Sequence, residues 1–174
     1  IHPRSTVNIN GRLLPGSFLG LPFLYGALAA VFGTGIFWFL TPLITVFSAF
    51  AWKQLVARFT TERIGWMAAL LFLFHPAVWY YAARGMMHNV LFVDLLVLCA
   101  WVWVIKPISS QKETSVVDGV LAGVLFGLAL FVRSSEALWL IATLFLSGVV
   151  WYRSLSWKQV CSGVIGCLIG MGLL

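Results

Sequence analysis

Charge is scarce in this chain. Of 174 residues, eleven are Lys or Arg and five are Asp or Glu, 9% together, and no acidic residue precedes Glu62. That is about a third of the share in an ordinary soluble domain. The first third of the chain therefore carries no carboxylate side chain at all. Cysteine is equally sparse. Cys99, Cys161 and Cys167 all fall in apolar runs, without CxxC or Cys/His spacing, which excludes a zinc ribbon and reads as small packing residues. Walker loops, HExxH and Ser/His/Asp arrays are absent, as are Gly/Ser linkers, low-complexity tracts and internal repeats. Ile1 to Pro15 is polar and turn-rich, without a secretory signal pattern.

What fills the chain instead is apolar sequence, 61% of all residues. Runs occupy residues 16–32, 36–56, 64–83, 90–105, 117–132, 137–152 and 160–174. Several approach the roughly 20 residues that cross a bilayer, and backbone polar groups in lipid are satisfied within helices. The fold class expected is all-α: one polytopic transmembrane bundle of about six spans, forming a single domain over residues 1–174. Residues 1–15 read as an ordered loop and 36–174 as the transmembrane helices. The start at Ile1 without Met, and the stop at Leu174 inside an apolar run, lead us to expect an internal piece of a longer protein.

The net charge of +6 does not gather on one amphipathic face, so nucleic acid is not an expected partner. It fits membrane topology. Lys53, Arg58, Arg63, Lys106, Lys112, Arg153 and Lys158 share one set of loops, against Arg84 and Arg133 on the other. Positively charged loops stay in the cytoplasm, which predicts a multi-pass protein of the cytoplasmic (inner) membrane. Residues 16–32, with Gly16, Gly20, Pro22 and Gly26, either span or lie at the interface. Gly119, Gly123 and Gly127 recur every fourth residue, as do Gly166 and Gly170. Such stripes let helices approach closely.

Ionisable residues away from the basic loops are the candidates for chemistry. Pro76 is expected to kink its span near the outer end. If helix resumes by Gly85, Arg84 and His88 share a face, with Asn89 beside them. The plainer readings are that Arg84 anchors to lipid phosphate and His88 caps the next helix. Asp94 lies six residues beyond His88, roughly 9 Å along a helix, and is expected either to turn toward a polar cavity or, in the plainer reading, to form an ion pair with Arg84 or Arg133. His75 reads as a satisfied interior histidine. In the link Arg133-Ser134-Ser135-Glu136, either serine can cap the following helix and Glu136 complements its dipole. Alternatively Arg133, joined by Arg12 if the first loop is outside, holds an anionic phosphate.

The order of three segments is familiar. GRLLPGSFLGLPFLYGALAAVFG (Gly11 to Gly33) precedes a span ending in basic residues, a later span ends in HPAVWYYAARGMMHN, and GVLAGVLFGLALFVRSSEALWL follows. This pattern resembles the GT-C membrane glycosyltransferases, the group of the protein O-mannosyltransferases and the lipid A aminoarabinose transferase. The resemblance covers most of the chain and is one of order, without a diagnostic motif. It implies transfer of a sugar from a polyprenyl-phosphate donor to an acceptor outside the cytoplasm. Residues 1–35 become extracytoplasmic, with 16–35 a short interfacial helix.

Arg12 and Pro15 fall near the family's basic residue and proline before that helix, with Leu14 where lysine is common. His88 and Asn89 stand near a position often held by aspartate. Arg133 falls where the family carries a basic residue that meets the lipid phosphate. The implied phosphate-binding set is Arg12, Arg84, His88, Asn89, Arg133 and Glu136. The family's catalytic acidic motif would lie upstream of Ile1. The resemblance fixes no cofactor or metal ligand and leaves a divalent cation open; its partners are membrane lipid and the lipid-linked donor, with oligomeric state undefined. Two other classes remain: a transporter or flippase, for which Asp94 and Pro76 speak, and a non-catalytic membrane subunit whose charges are all structural.

Overall fold

The computed structural model describes residues 6–9, 12–15, 20–84, 87–109, 115–151 and 157–172. Over these residues the architecture is helical apart from one hairpin. Strands β1 (Thr6–Ile9) and β2 (Arg12–Pro15) pair antiparallel, Thr6 opposite Pro15 and Ile9 opposite Arg12. The loop expected over residues 1–15 is corrected by this pairing. Thr6, Val7 and Ile9 are β-branched residues that favour extended backbone, and the sequence Asn10-Gly11 between the strands is the strongest short hairpin signal.

Among the described residues eight α-helices follow: α1 (Gly20–Phe32), α2 (Ile36–Phe59), α3 (Glu62–Leu73), α4 (Pro76–Ala82), α5 (His88–Ser109), α6 (Val116–Val132), α7 (Ala137–Trp151) and α8 (Trp157–Gly172). Their ends obey local chemistry. Gly33 takes φ +79° immediately after α1, a left-handed turn that only glycine enters cheaply. Thr61 and Ser115 cap α3 and α6 by accepting from the backbone N–H of Ile64 and Val117, and Glu62 and Asp118 sit in those first turns, where the helix dipole favours a negative charge. Pro76 opens α4 at its first position, and the chain bends by 52° between α3 and α4. The kink expected at Pro76 is there, because the ring has no N–H to continue the ladder.

The chain runs back and forth between two ends of a bundle. Gly65 of α3 abuts Lys53 and Ala57 of α2, so these helices are antiparallel. Thr45 meets Asp94 and Gln54 meets Trp101, which sets α5 parallel to α2. Asn89 meets Arg133 while Cys99 meets the Ala122 carbonyl, so α6 returns antiparallel to α5. Gly119 lies against Ser162 and Gly127 against Cys167, which makes α6 and α8 parallel. Two parallel helices demand a return path between them, and α7, turned by 110° from α6, leads it. Lys53, Arg58, Arg63 and Lys158 gather at one end, here the Lys53 end; Arg84 and Arg133 lie at the other. Lys112 and Arg153 fall outside the described residues, as does the side chain of Lys106.

Helix α1 leans on the Arg133 end. Gly20 touches the Phe131 backbone, while Tyr25 packs on Phe37 and donates to or accepts from Thr41 at 2.5 Å. Leu21 and Tyr25 join Leu91, Phe92, Leu95, Leu130, Val132 and Leu140 in the core. Every one of these partners lies in the half of the bundle near Arg133.

Beside this apolar core, a small polar set is buried and many large apolar side chains are exposed. Thr41, Thr45, Ser48 and Asp94 are buried, while Trp38, Phe39, Leu43 and Phe47 on the same helix α2 are exposed. Among the described residues, helix α2 is by itself long and apolar enough to cross a membrane; counting each bent pair as one span raises the number to three. Gly20–Phe32 and His88–Val104 are apolar but shorter. Six spans are therefore not all carried by length and composition.

The glycine stripes meet each other. A Cβ on Gly123 would come within 2.1 Å of the Gly163 carbonyl oxygen, and one on Gly166 within 2.1 Å of the Val120 carbonyl oxygen. Backbone cannot yield as a flexible side chain does. We predict that Gly123→Ala destabilises the protein by about 1–3 kcal/mol, the scale of an overpacked core. Gly26→Ala, at a helical site with open space around it, should be neutral or stabilising by up to about 1 kcal/mol. Thermal unfolding of the two variants in detergent checks the pair.

Candidate functional site

The Arg133 end collects the polar side chains that the helices leave there. α6 stops at Val132 because Arg133 takes φ −145° and ψ 77°, outside the helical region. Ser134–Glu136 then form one 3-10 turn into α7. No serine side chain caps α7 from this turn; the Ser135 hydroxyl sits 3.5 Å from Glu136 Oε1 instead. The expected capping role is corrected, since residues inside a tight turn cannot adopt the extended backbone of an N-cap.

Arg133 is the centre of the cluster. Its Nη1 donates to Asn89 Oδ1 at 2.9 Å, and its Nη2 pairs with Glu136 Oε1 at 2.8 Å. The guanidinium lies 5.9 Å from the centroid of the Phe92 ring. Phe92 packs edge-on against Trp139, whose indole N–H donates to Glu136. His88, at the start of α5, lies within electrostatic reach of Arg133. Asn89 and Phe92 are three residues apart on α5, so one helix face supplies both the acceptor and the ring. A guanidinium carries five N–H donors. Two are used in these contacts, and the Nε is buried without a hydrogen-bond partner.

Asn89, His88, Arg133 and Glu136 thus come together; Arg84 and Arg12 are not shown to join them. Arg84 is exposed and stacks on Tyr80, 4.1 Å from its centroid, with Tyr81 edge-on to Tyr80. Helix does not run from Arg84 into His88, because α4 ends at Ala82 and α5 begins at His88. The shared helical face expected for Arg84 and His88 is therefore absent. Arg12 lies on β2, and its side chain is outside the described residues. His75 is exposed, and its Nδ1 accepts from the Ala77 N–H at 3.2 Å as the cap of α4. An imidazole in that role replaces the interior histidine expected from the sequence, since Pro76 forces the chain to restart a helix there.

Deeper along α5, Asp94 is fully buried. Its Oδ2 meets the Thr45 hydroxyl at 2.6 Å, its main-chain carbonyl accepts from Ser48 at 3.2 Å, and its Oδ1 has no hydrogen-bond partner. Thr45 also lies 2.9 Å from the Thr41 carbonyl, and the Thr41 hydroxyl meets Tyr25. The ion pair expected with Arg84 or Arg133 is not formed. Arg133 is held by Glu136 and Asn89, a turn and a half nearer the end of the bundle, and Arg84 by Tyr80. An ionised carboxylate left alone at such a site costs several kcal/mol even after relaxation.

The sequence reading passed over Thr41, Thr45 and Ser48. Their spacing of four and then three residues in an apolar helix was the available signal, because it places three hydroxyls on one face. Tyr25 and Trp139 were missed as well; each is one aromatic among many. Among the described residues, no three of His, Cys, Asp and Glu come together as a metal cluster. Comparison with protein-family models, with curated proteins and with solved structures finds no match.

Removing Asn89 should leave a half-buried cation short of one partner. We expect Asn89→Ala to lose about 1–3 kcal/mol, whereas Asn89→Asp, which keeps an acceptor, should stay close to wild type. Chemical unfolding of the two variants checks this. Equal losses would mean that Asn89 acts through packing alone.

Proposed function

We propose that this chain is part of a polytopic membrane glycosyltransferase of the GT-C kind, which moves a sugar from a polyprenyl-phosphate donor to an extracytoplasmic acceptor. The membrane setting is supported by the apolar exterior, by the buried hydroxyl stripe and by the back-and-forth course of α2 through α8. In this reading the traverses are the expected six spans, several of them bent or short. The Arg133 end faces out and the Lys53 end faces the cytoplasm. Helix α1 is the interfacial helix, as its contacts at the Arg133 end favour.

One observation carries the enzymatic part. Arg133 stands at the outer end of the bundle beside α1, fixed by Asn89, Glu136 and Phe92, with donors to spare. Glu136 and Asn89 hold its guanidinium in one orientation, and Phe92 and Trp139 keep water from one side. A phosphate oxygen of the lipid carrier would share the fork with Glu136.

In an inverting transfer, an acceptor nucleophile attacks the anomeric carbon, the glycosidic C–O bond to phosphate breaks, and the phosphate leaves with the electron pair. A general base takes the acceptor's proton. This reading assigns the general base to none of the residues of this chain. Arg133 then stabilises charge that grows on the leaving phosphate, which lowers the barrier more than it aids ground-state binding. His88 beside it adds a second donor. Arg84 stands apart and is assigned no step.

A second reading is favoured by a different observation. A fully buried carboxyl between two parallel helices suits a transporter or flippase that couples to an ion. The two readings separate in one assay on the full-length protein. For the enzyme, Arg133→Ala should lower sugar transfer from a polyprenyl-phosphate donor about 100-fold or more, with Arg133→Lys intermediate and expression unchanged. Transfer that survives Arg133→Ala removes Arg133 from the mechanism. Ion-driven flux without transfer, lost in Asp94→Asn, would establish the transporter.

A further inference from the structure

A carboxyl group with no exposure has to be neutral in sum with its surroundings. The groups facing Asp94 supply no positive charge. From α2 come the hydroxyls of Thr41, Thr45 and Ser48, and from α1, through Thr41, the Tyr25 phenol. From the end of α6 comes Arg133, already paired with Glu136 and bonded to Asn89. His88 lies a turn and a half outward on α5 itself, and Arg84 after α4 stacks on Tyr80. At the other end, Lys53 pairs with Glu62 and Asp118 is itself acidic.

We infer that Asp94, Thr45 and Ser48, with the main-chain carbonyls of Thr41 and Asp94, form an internal site for one small monovalent cation, either a proton or a sodium ion. The donor set is the first reason. It is made of oxygen alone, one carboxylate with hydroxyls and carbonyls, which suits a hard cation. A single carboxylate balances one positive charge and leaves a divalent ion uncompensated.

Hydrogen counting is the second reason. The Thr45 hydroxyl owns one hydrogen but faces two acceptors, Asp94 Oδ2 at 2.6 Å and the Thr41 carbonyl at 2.9 Å. A proton on Oδ2 completes both contacts, with Asp94 donating to Thr45 and Thr45 donating to Thr41. Sodium would instead use Oδ1, which has no hydrogen-bond partner, and draw in the Ser48 and Thr45 oxygens. Either occupant ties α2 to α5, so its release loosens the contact that positions Asn89 and Phe92. This inference does not rest on the glycosyltransferase reading.

The test uses the full-length protein in detergent, with infrared spectra and thermal melting recorded in sodium and in choline buffers. A proton occupant gives the carbonyl band of a protonated carboxyl in both buffers, and the band disappears in Asp94→Asn. A sodium occupant gives a melting temperature higher in sodium than in choline, and Asp94→Asn abolishes the difference. Should Asp94→Asn fail to fold, milder variants decide. Thr45→Val should shift the carboxyl band, or Ser48→Ala should raise the half-saturating sodium concentration about tenfold, one contact's worth on the affinity scale. The inference is overturned if wild type shows neither a protonated carboxyl band nor a sodium effect. It is also overturned if the signals seen are unchanged in all three variants.

Discussion

The hydrogen bond from Thr45 to Asp94, with Ser48 on the Asp94 carbonyl beside it and Trp101 on Gln54 further along, joins two parallel helices, and much of the outer end depends on where it puts α5. In a lipid setting, apolar side chains gain little by leaving the solvent, so helix register is set by polar contacts and by close backbone approach. With Asp94 held against Thr45 and Ser48, Leu91 and Leu95 turn into the core, and Asn89 and Phe92 arrive beside Arg133. The same register brings Trp101 to Gln54 and Trp103 against Gly163 at the other end. These polar contacts together set the register of α5 on α2.

The α6–α8 pair works by the second device. Gly119, Gly123 and Gly127 on one helix face Ser162, Gly163 and Cys167 on the other, with Gly166 and Gly170 completing the seam. Because these helices are parallel, the chain has to travel back between them, and the turn Ser134–Glu136 that starts this return also carries the partner of Arg133. Close packing in one part of the bundle therefore dictates the loop in which the candidate site lies. Arg133 terminates α6 and anchors the turn at once, so its side chain is structural before it is anything else.

The three polar clusters differ in what they leave unsatisfied. At the Lys53 end, Lys53 is paired with Glu62 and lies over Trp66, a closed arrangement. Around Arg133, two contacts are made and donors remain. Around Asp94, a carboxyl oxygen remains. Both unsatisfied atoms, Arg133 Nε and Asp94 Oδ1, are buried, one near the end of the bundle and one deeper along α5.

Much of this was legible in the chain. Apolar runs with basic breaks gave the helices, Pro76 gave the bend, and glycines four residues apart gave a close seam, because each rests on backbone chemistry that acts within one or two turns. The hairpin was legible too, in Asn10-Gly11 flanked by β-branched residues, though the polar setting disguised it. Partner choice was not legible. That Asp94 meets Thr45 rather than an arginine, and that Asn89 rather than Arg84 comes to Arg133, depends on which faces converge. Such convergence is set by helix register across 40 or more residues of chain, roughly, and no local pattern encodes it. Sequence alone carried most of the helices, since propensity and capping act within a turn or two; tertiary structure decided which charges found one another and which were left unpaired.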